Sequence, residues 1–158
     1  MGNLWPKIHL KLTIPEVILF LGIDMIDLQE VWLPAILSYA HLVADESALR
    51  DAWIKQDRSK TSVYYPGELI DQIFEDLDSN TVRKQLNAQR SGQAPLATAI
   101  ARFLDALTIM YDVESAKLDM LSWGQGRPPP NADRIFDSPS WAEARRRARE
   151  LLLLTEEQ

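Results

Sequence analysis

Apolar and polar positions alternate at the start of the chain. Ile8, Leu10, Leu12 and Ile14 are separated by His9, Lys11 and Thr13, with Lys7 ahead of them. That is the period-two pattern of a strand with one buried face. A single strand leaves its backbone groups unpaired and needs a partner. The other β-rich run holds Thr61, Val63, Tyr64 and Tyr65, ahead of Pro66-Gly67. The two runs predict a small two-stranded element, or pairing of the first strand with another molecule.

The remaining pattern is helical. Thr13 and Glu16 have capping-box spacing with Pro15 between them, and open an almost wholly apolar helix that Gly22 can end. A short amphipathic piece covers 24–32. Pro34 starts a helix to about Ala44, and Ser47 is placed to cap the next, where Leu49, Ala52, Trp53 and Gln56 share a face. Pro66 opens the clearest amphipathic segment: Leu69, Ile70, Ile73, Phe74 and Leu77 recur on one side. Asp78 or Ser79 could cap a further turn over 80–88, before a break at Ser91-Gly92. From Pro95, the residues Leu96, Ile100, Phe103, Leu104, Leu107, Tyr111 and Leu118 predict one long helix ending near Trp123-Gly124. Residues 124–131 (Gly-Gln-Gly-Arg-Pro-Pro-Pro-Asn) read as a stiff extended strap. Ser140 and Glu143 have capping-box spacing for a last helix over 139–154, with Trp141, Ala144, Ala148, Leu151 and Leu152 along one stripe.

The fold expected is therefore mainly α: a single-domain bundle, 1–158, of five to seven helices, with a minor β element from the N-terminal strand. At 158 residues the chain is long enough for one core. The segment beyond the strap is too short to form its own, so the last helix should return to the body. The most apolar run, 14–23, contains Glu16 and is about half the length a membrane span needs. No basic cluster precedes an apolar core near Met1, so a secretory signal is not expected. A cytoplasmic protein without a membrane segment is the reading.

Composition narrows the chemistry. There is no cysteine, which removes disulfides, thiolate metal sites and a thiol nucleophile. Lys plus Arg total 17 against 23 Asp plus Glu, a formal charge of −6. Proteins that hold nucleic acid by its phosphates carry the opposite balance, so no nucleic-acid partner is expected. His9 and His41 have no HExxH or ExxH context, and the six glycines form neither GxGxxG nor GxxxxGK[ST]. No catalytic residue, no metal ligand and no cofactor is assigned.

Charge segregation is the informative feature. Between Pro66 and Asn80 stand Glu68, Asp71, Glu75, Asp76 and Asp78, with no Lys or Arg. They form either a solvated face, a docking face for a basic partner, or half of a Mg²⁺ site. The last has one ExxD pair in Glu68 and Asp71, but Asp112, Glu114 and Asp119 make a poor second pair. Asp24, Asp27 and Glu30 extend the acidic surface or form the wet side of a short helix. Arg145, Arg146, Arg147 and Arg149 are interleaved with Glu143 and Glu150, and are expected to pair within the molecule, against their own helix or the acidic one. Of five tryptophans, Trp32, Trp53 and Trp141 fall on apolar stripes, while Trp5 and Trp123 sit at element ends as lids or exposed anchors. A cytoplasmic acidic binding protein that neutralises a basic partner follows, an inhibitor of the immunity or antitoxin kind, with a nuclease-type toxin as the partner chemistry. A Mg²⁺-dependent helical nucleotide hydrolase, and an assembly protein that forms a homodimer through its first strand, are the alternatives.

Overall fold

The computed structural model describes residues 32–76 and 94–156. The N-terminal strand, the apolar helix after it, the acidic residues 24–30 and the turn expected over 80–88 lie outside the described residues, as do His9, Trp5 and Asp78. What is described is mainly helical. In chain order it comprises α1 (Leu33–Ala44), α2 (Ser47–Trp53), α3 (Pro66–Asp71) running into a π-helical turn (Gln72–Asp76), α4 (Ala94–Ser115), α5 (Met120–Gly124), a 3₁₀ turn (Ala132–Asp137) and α6 (Pro139–Glu156). None of the helices among the described residues is long and apolar enough to cross a membrane.

The core is built on α6, which packs along both α4 and α1. Its stripe, Trp141, Ala144, Ala148 and Leu151, is fully buried. Small alanines at two of those positions let neighbouring helices approach closely. From α4 the stripe Ile100, Phe103, Leu104, Leu107 and Met110 meets it, and α1 contributes Ile36, Ala40 and Val43. The last helix is thus central, and the Pro-rich strap carries it back to the body. Within the strap Gly126 (φ 85°) and Asn131 (φ 62°) take the left-handed region, which Gly and Asn tolerate best.

An aromatic cluster closes one end of this core. The Trp53 ring lies 6.0 Å from Trp123, 5.7 Å from Trp141 and 5.5 Å from Phe136, and Phe136 stands edge-on to Trp141 at 5.3 Å. Each indole N–H is satisfied: Trp53 donates to the Val63 carbonyl (3.1 Å), Trp123 to the Trp53 carbonyl (3.0 Å), and Trp141 to Glu46 Oε2 (2.7 Å). These bonds fix the rings beyond what burial alone would do. Trp123, for which sequence left a lid over the core or an exposed anchor open, is buried at 1% exposure.

Several expectations are corrected by where backbone groups find partners. The Thr61–Tyr65 run is an irregular extended segment, not a strand. The Val63 N–H goes to Thr61 Oγ1 (3.2 Å), the Val63 carbonyl to Trp53, and the Tyr64 N–H to a Glu68 carboxylate oxygen (2.7 Å). Side chains meet the needs a ladder would have met. The long helix from Pro95 stops at Ser115: the Lys117 and Leu118 N–H groups fold back on the Glu114 carbonyl, and Asp119 caps α5 by accepting from the Ser122 N–H (3.0 Å). Apolar periodicity runs through this break because Leu118 still packs on the core.

Capping also differs. Ser138, not Ser140, caps α6, its Oγ accepting from the Trp141 N–H (3.2 Å), with Pro139 in the first helical position. Asp45 rather than Ser47 serves the start of α2, accepting from both the N–H and the Oγ of Ser47. Gln56 lies beyond α2 with φ 59° and donates back to the Trp53 carbonyl (3.0 Å) instead of sharing its apolar face.

Candidate functional site

The acidic segment is held by a tight local joint. Pro66 starts α3, and the Tyr65 ring sits against Gly67 and Gly124. A Cβ at Gly67 would stand 2.5 Å from Tyr65 Cε2, and one at Gly124 3.0 Å from Tyr65 Cζ. Glycine at both places therefore lets α3 and α5 close on the same ring. Burial, with smaller contributions from Asp71, Tyr111 and Glu68, pushes the Tyr65 phenol above its ordinary value.

On the far side of this joint Leu69 and Ile73 are buried, and Ile70 and Phe74 pack partly against the core, as the stripe predicts. Leu77 lies outside the described residues. The π turn makes the chain wider by one residue per turn just where Gln72 meets Tyr39, whose hydroxyl donates to Gln72 Oε1 (3.1 Å).

The predicted carboxylates divide into two roles. Glu68 reaches back from the first turn of α3 to the Tyr64 N–H, the reciprocal half of a capping box moved one residue outward, so it is engaged in folding. Asp71 and Glu75 are exposed, and no Lys, Arg or His among the described residues pairs with either. Asp76 ends the π turn, and Asp78 lies outside the described residues.

The arginines of α6 do not meet this face. Arg145 lies 3.4 Å from Glu46 Oε2, and Arg146 and Arg147 each bridge Glu143 and Glu150 at 2.6–3.1 Å. The Arg146 guanidinium beside Glu143 holds that carboxyl below its ordinary range, and the Glu143 carboxylate raises Arg147 in turn. Arg145, Arg146 and Arg147 are thus neutralised where they stand, whereas Arg149 is exposed and pairs with no carboxylate of the described residues.

The carboxylates weighed for a second Mg²⁺ pair are apart. Asp119 caps α5, Asp112 is exposed, and Glu114 is buried at 4% exposure. Among the described residues there is no group of three or more His, Asp or Glu placed to hold a metal ion. His41 is exposed on α1. It shares a surface groove of about 490 Å³ with Ser38 and Asp45, but Asp45 Oδ1 is taken by Ser47 and orients no imidazole.

Sequence reasoning weighed Glu114 only for a poor Mg²⁺ pair and passed over its burial. Glu114 occupies the next core-facing position after Ile100, Phe103, Leu107 and Met110 on α4, where periodicity asks for an apolar side chain. A carboxylate in that slot was the available signal. No family model, no curated protein and no solved structure matches the chain.

Proposed function

We propose that this chain is a binding protein that docks a basic partner protein on the face carrying Asp71 and Glu75, braced by Glu68, with Asp76 and Asp78 following in the sequence as further partner-binding residues. Inhibition of a nuclease-type toxin in the cytoplasm is the form of this reading that fits the charge best: a cleft built to hold phosphates offers the cations that such a face would meet.

One observation carries it. Asp71 and Glu75 are exposed without a cationic neighbour among the described residues, whereas Glu143 and Glu150 on α6 are each held by two arginines. Clustered unpaired carboxylates raise association rates by long-range attraction, which salt screens over about 10 Å at 0.1 M.

The test is surface-plasmon kinetics against a partner recovered by affinity capture, at two salt concentrations. Replacing Asp71→Lys and Glu75→Lys together should slow association by about tenfold or more, with the melting temperature unchanged. An association rate indifferent to both salt and the double reversal overturns the reading.

A further inference from the structure

A cavity of about 610 Å³ lies where the carboxyl end of α4 meets the strap and the 3₁₀ turn. Glu114 lines it, and its side chain is only 5% exposed. Carboxylates are seldom buried unless paired and hydrogen-bonded, because removing the charge from water is costly. Glu114 is weakly compensated. Its partner among the described residues is Lys117 Nζ, 3.5 Å from Oε2, and that lysine side chain is 63% exposed. Oε1 receives no hydrogen bond from the described residues. Glu114 also stands in the last turn of a 22-residue helix, whose negative end favours a cation.

We propose that this cavity is a recognition site for a guanidinium group, with Glu114 as its anionic floor. A carboxylate with one oxygen open and the other loosely held suits a flat two-pronged donor, which can take both oxygens at once. Leu118 and Pro130 line the same cavity and offer apolar surface for the methylene stem, over the buried Ile135.

The opposite reading, an anion site, is disfavoured by the same lining. Lys117 and Arg134 border the cavity, but both are exposed and can withdraw to solvent. The start of α6 faces it too, yet Pro139 has no N–H and the Trp141 N–H is taken by Ser138 Oγ. The charge fixed in place is the negative one. The site goes beyond the α3 docking face and shares no residue with it.

The experiment is an NMR titration of the ¹⁵N-labelled full chain with N-acetyl-L-arginine methylamide, beside its citrulline counterpart, which is neutral and of nearly the same shape. Saturating shifts at the Glu114, Leu118 and Ile135 amides are expected for the arginine compound alone. Glu114→Gln keeps the volume and should weaken binding about ten- to hundredfold, the loss of a charge-assisted contact. Lys117→Met removes the competing ammonium and should strengthen binding by about a few-fold, which a merely structural Glu114 would not produce. Free L-arginine is the third arm. Tighter binding of the free amino acid assigns the site to a small molecule, and tighter binding of the capped form assigns it to an arginine side chain of a protein. Equal shifts from arginine and citrulline, no saturation with either arginine form, or unchanged affinity in a folded Glu114→Gln variant would each overturn the proposal. Asp71→Lys with Glu75→Lys should leave this titration unaltered, so it and the docking reading fail separately.

Discussion

The last helix and the acidic segment carry comparable densities of charge and treat it in opposite ways. On α6, Glu143 and Glu150 alternate with Arg146 and Arg147 at spacings of three and four, so each charge finds its opposite one turn away. Arg145 reaches off the helix to Glu46, which also accepts from Trp141 and Arg50. On α3 and its π turn no cation is interleaved, and of Glu68, Asp71 and Glu75 it is Glu68 that is engaged by the described residues. Charge in a run is therefore not a single signal. Where opposite signs alternate at helical spacing, the run is closed on itself. Where one sign stands alone beside an apolar stripe, the outer face is left for solvent or a partner.

The largest expected effect tests whether α6 is held by its apolar stripe rather than its ionic ladder. Trp141 is fully buried against Trp53 and Phe136, and it donates to Glu46. Trp141→Ala should cost about 3–5 kcal/mol, through the cavity left and the donor lost from Glu46. Urea denaturation followed by circular dichroism measures it. A cost below about 1 kcal/mol would mean that the helix is secured mainly by its charges.

A smaller effect separates the carboxylates of the acidic segment from one another. Glu68→Ala removes the acceptor of the Tyr64 N–H and should destabilise by about 1 kcal/mol, the worth of a helix cap. Asp71→Ala should change stability by less than about 0.5 kcal/mol, as exposed positions without partners do. Equal losses in the two variants, by the same denaturation, would erase the division between a bracing and a docking residue.

Much of this arrangement is legible from pattern. The stripes of α3, α4 and α6 follow from period, because a buried helix face repeats its apolar residues whatever it packs against. Trp53 and Trp141 are placed in the core by the same rule. What pattern misses is where side chains replace backbone partners. Val63, Tyr64 and Tyr65 have strand propensity, yet Thr61, Trp53 and Glu68 take up the backbone hydrogen bonds of Val63 and Tyr64. Leu118 continues the α4 period after the helix has ended, since a residue can pack on a core without being helical. Trp123 is buried by a contact seventy positions away in sequence, to which local spacing is blind. Of the acidic site, sequence places Asp71 and Glu75 outside correctly. It does not show that Glu68 is spent as a cap, and it weighed Glu114 for a metal pair when the telling feature was a charge out of step with its stripe.

A pH effect probes the joint at which α3 and α5 close on Tyr65. Burial raises the Tyr65 phenol above the ordinary value of 10.0, so the folded state resists losing that proton. The associated stability is present below pH 10 and is lost as pH rises through and beyond it. Tyr65→Phe should leave stability at neutral pH nearly unchanged and flatten the alkaline decline, read from melting temperatures between pH 8 and 11, a window set about the phenol's usual value. A decline of the same steepness in both proteins would place its origin elsewhere.

The smallest expected effect returns to the ladder of α6. Hydrogen bonds from Arg146, and then from Arg147, hold the Glu143 carboxyl below its ordinary value of 4.5. A depressed folded value means that the stabilising contribution is complete above the unfolded value and is lost as pH falls through the folded one. The pairs are partly exposed, so the contribution is modest and should weaken in high salt. Glu143→Gln should thus cost about 0.3–0.5 kcal/mol at pH 7 and less at an acid pH below the ordinary value, because the contribution is lost as pH falls through the lowered folded one. Parallel denaturant titrations at both pH values and at two salt concentrations measure it. A cost that persists in acid would show that Glu143 acts by packing, and the contrast with the open carboxylates of Asp71 and Glu75 would then rest on shape and not on charge.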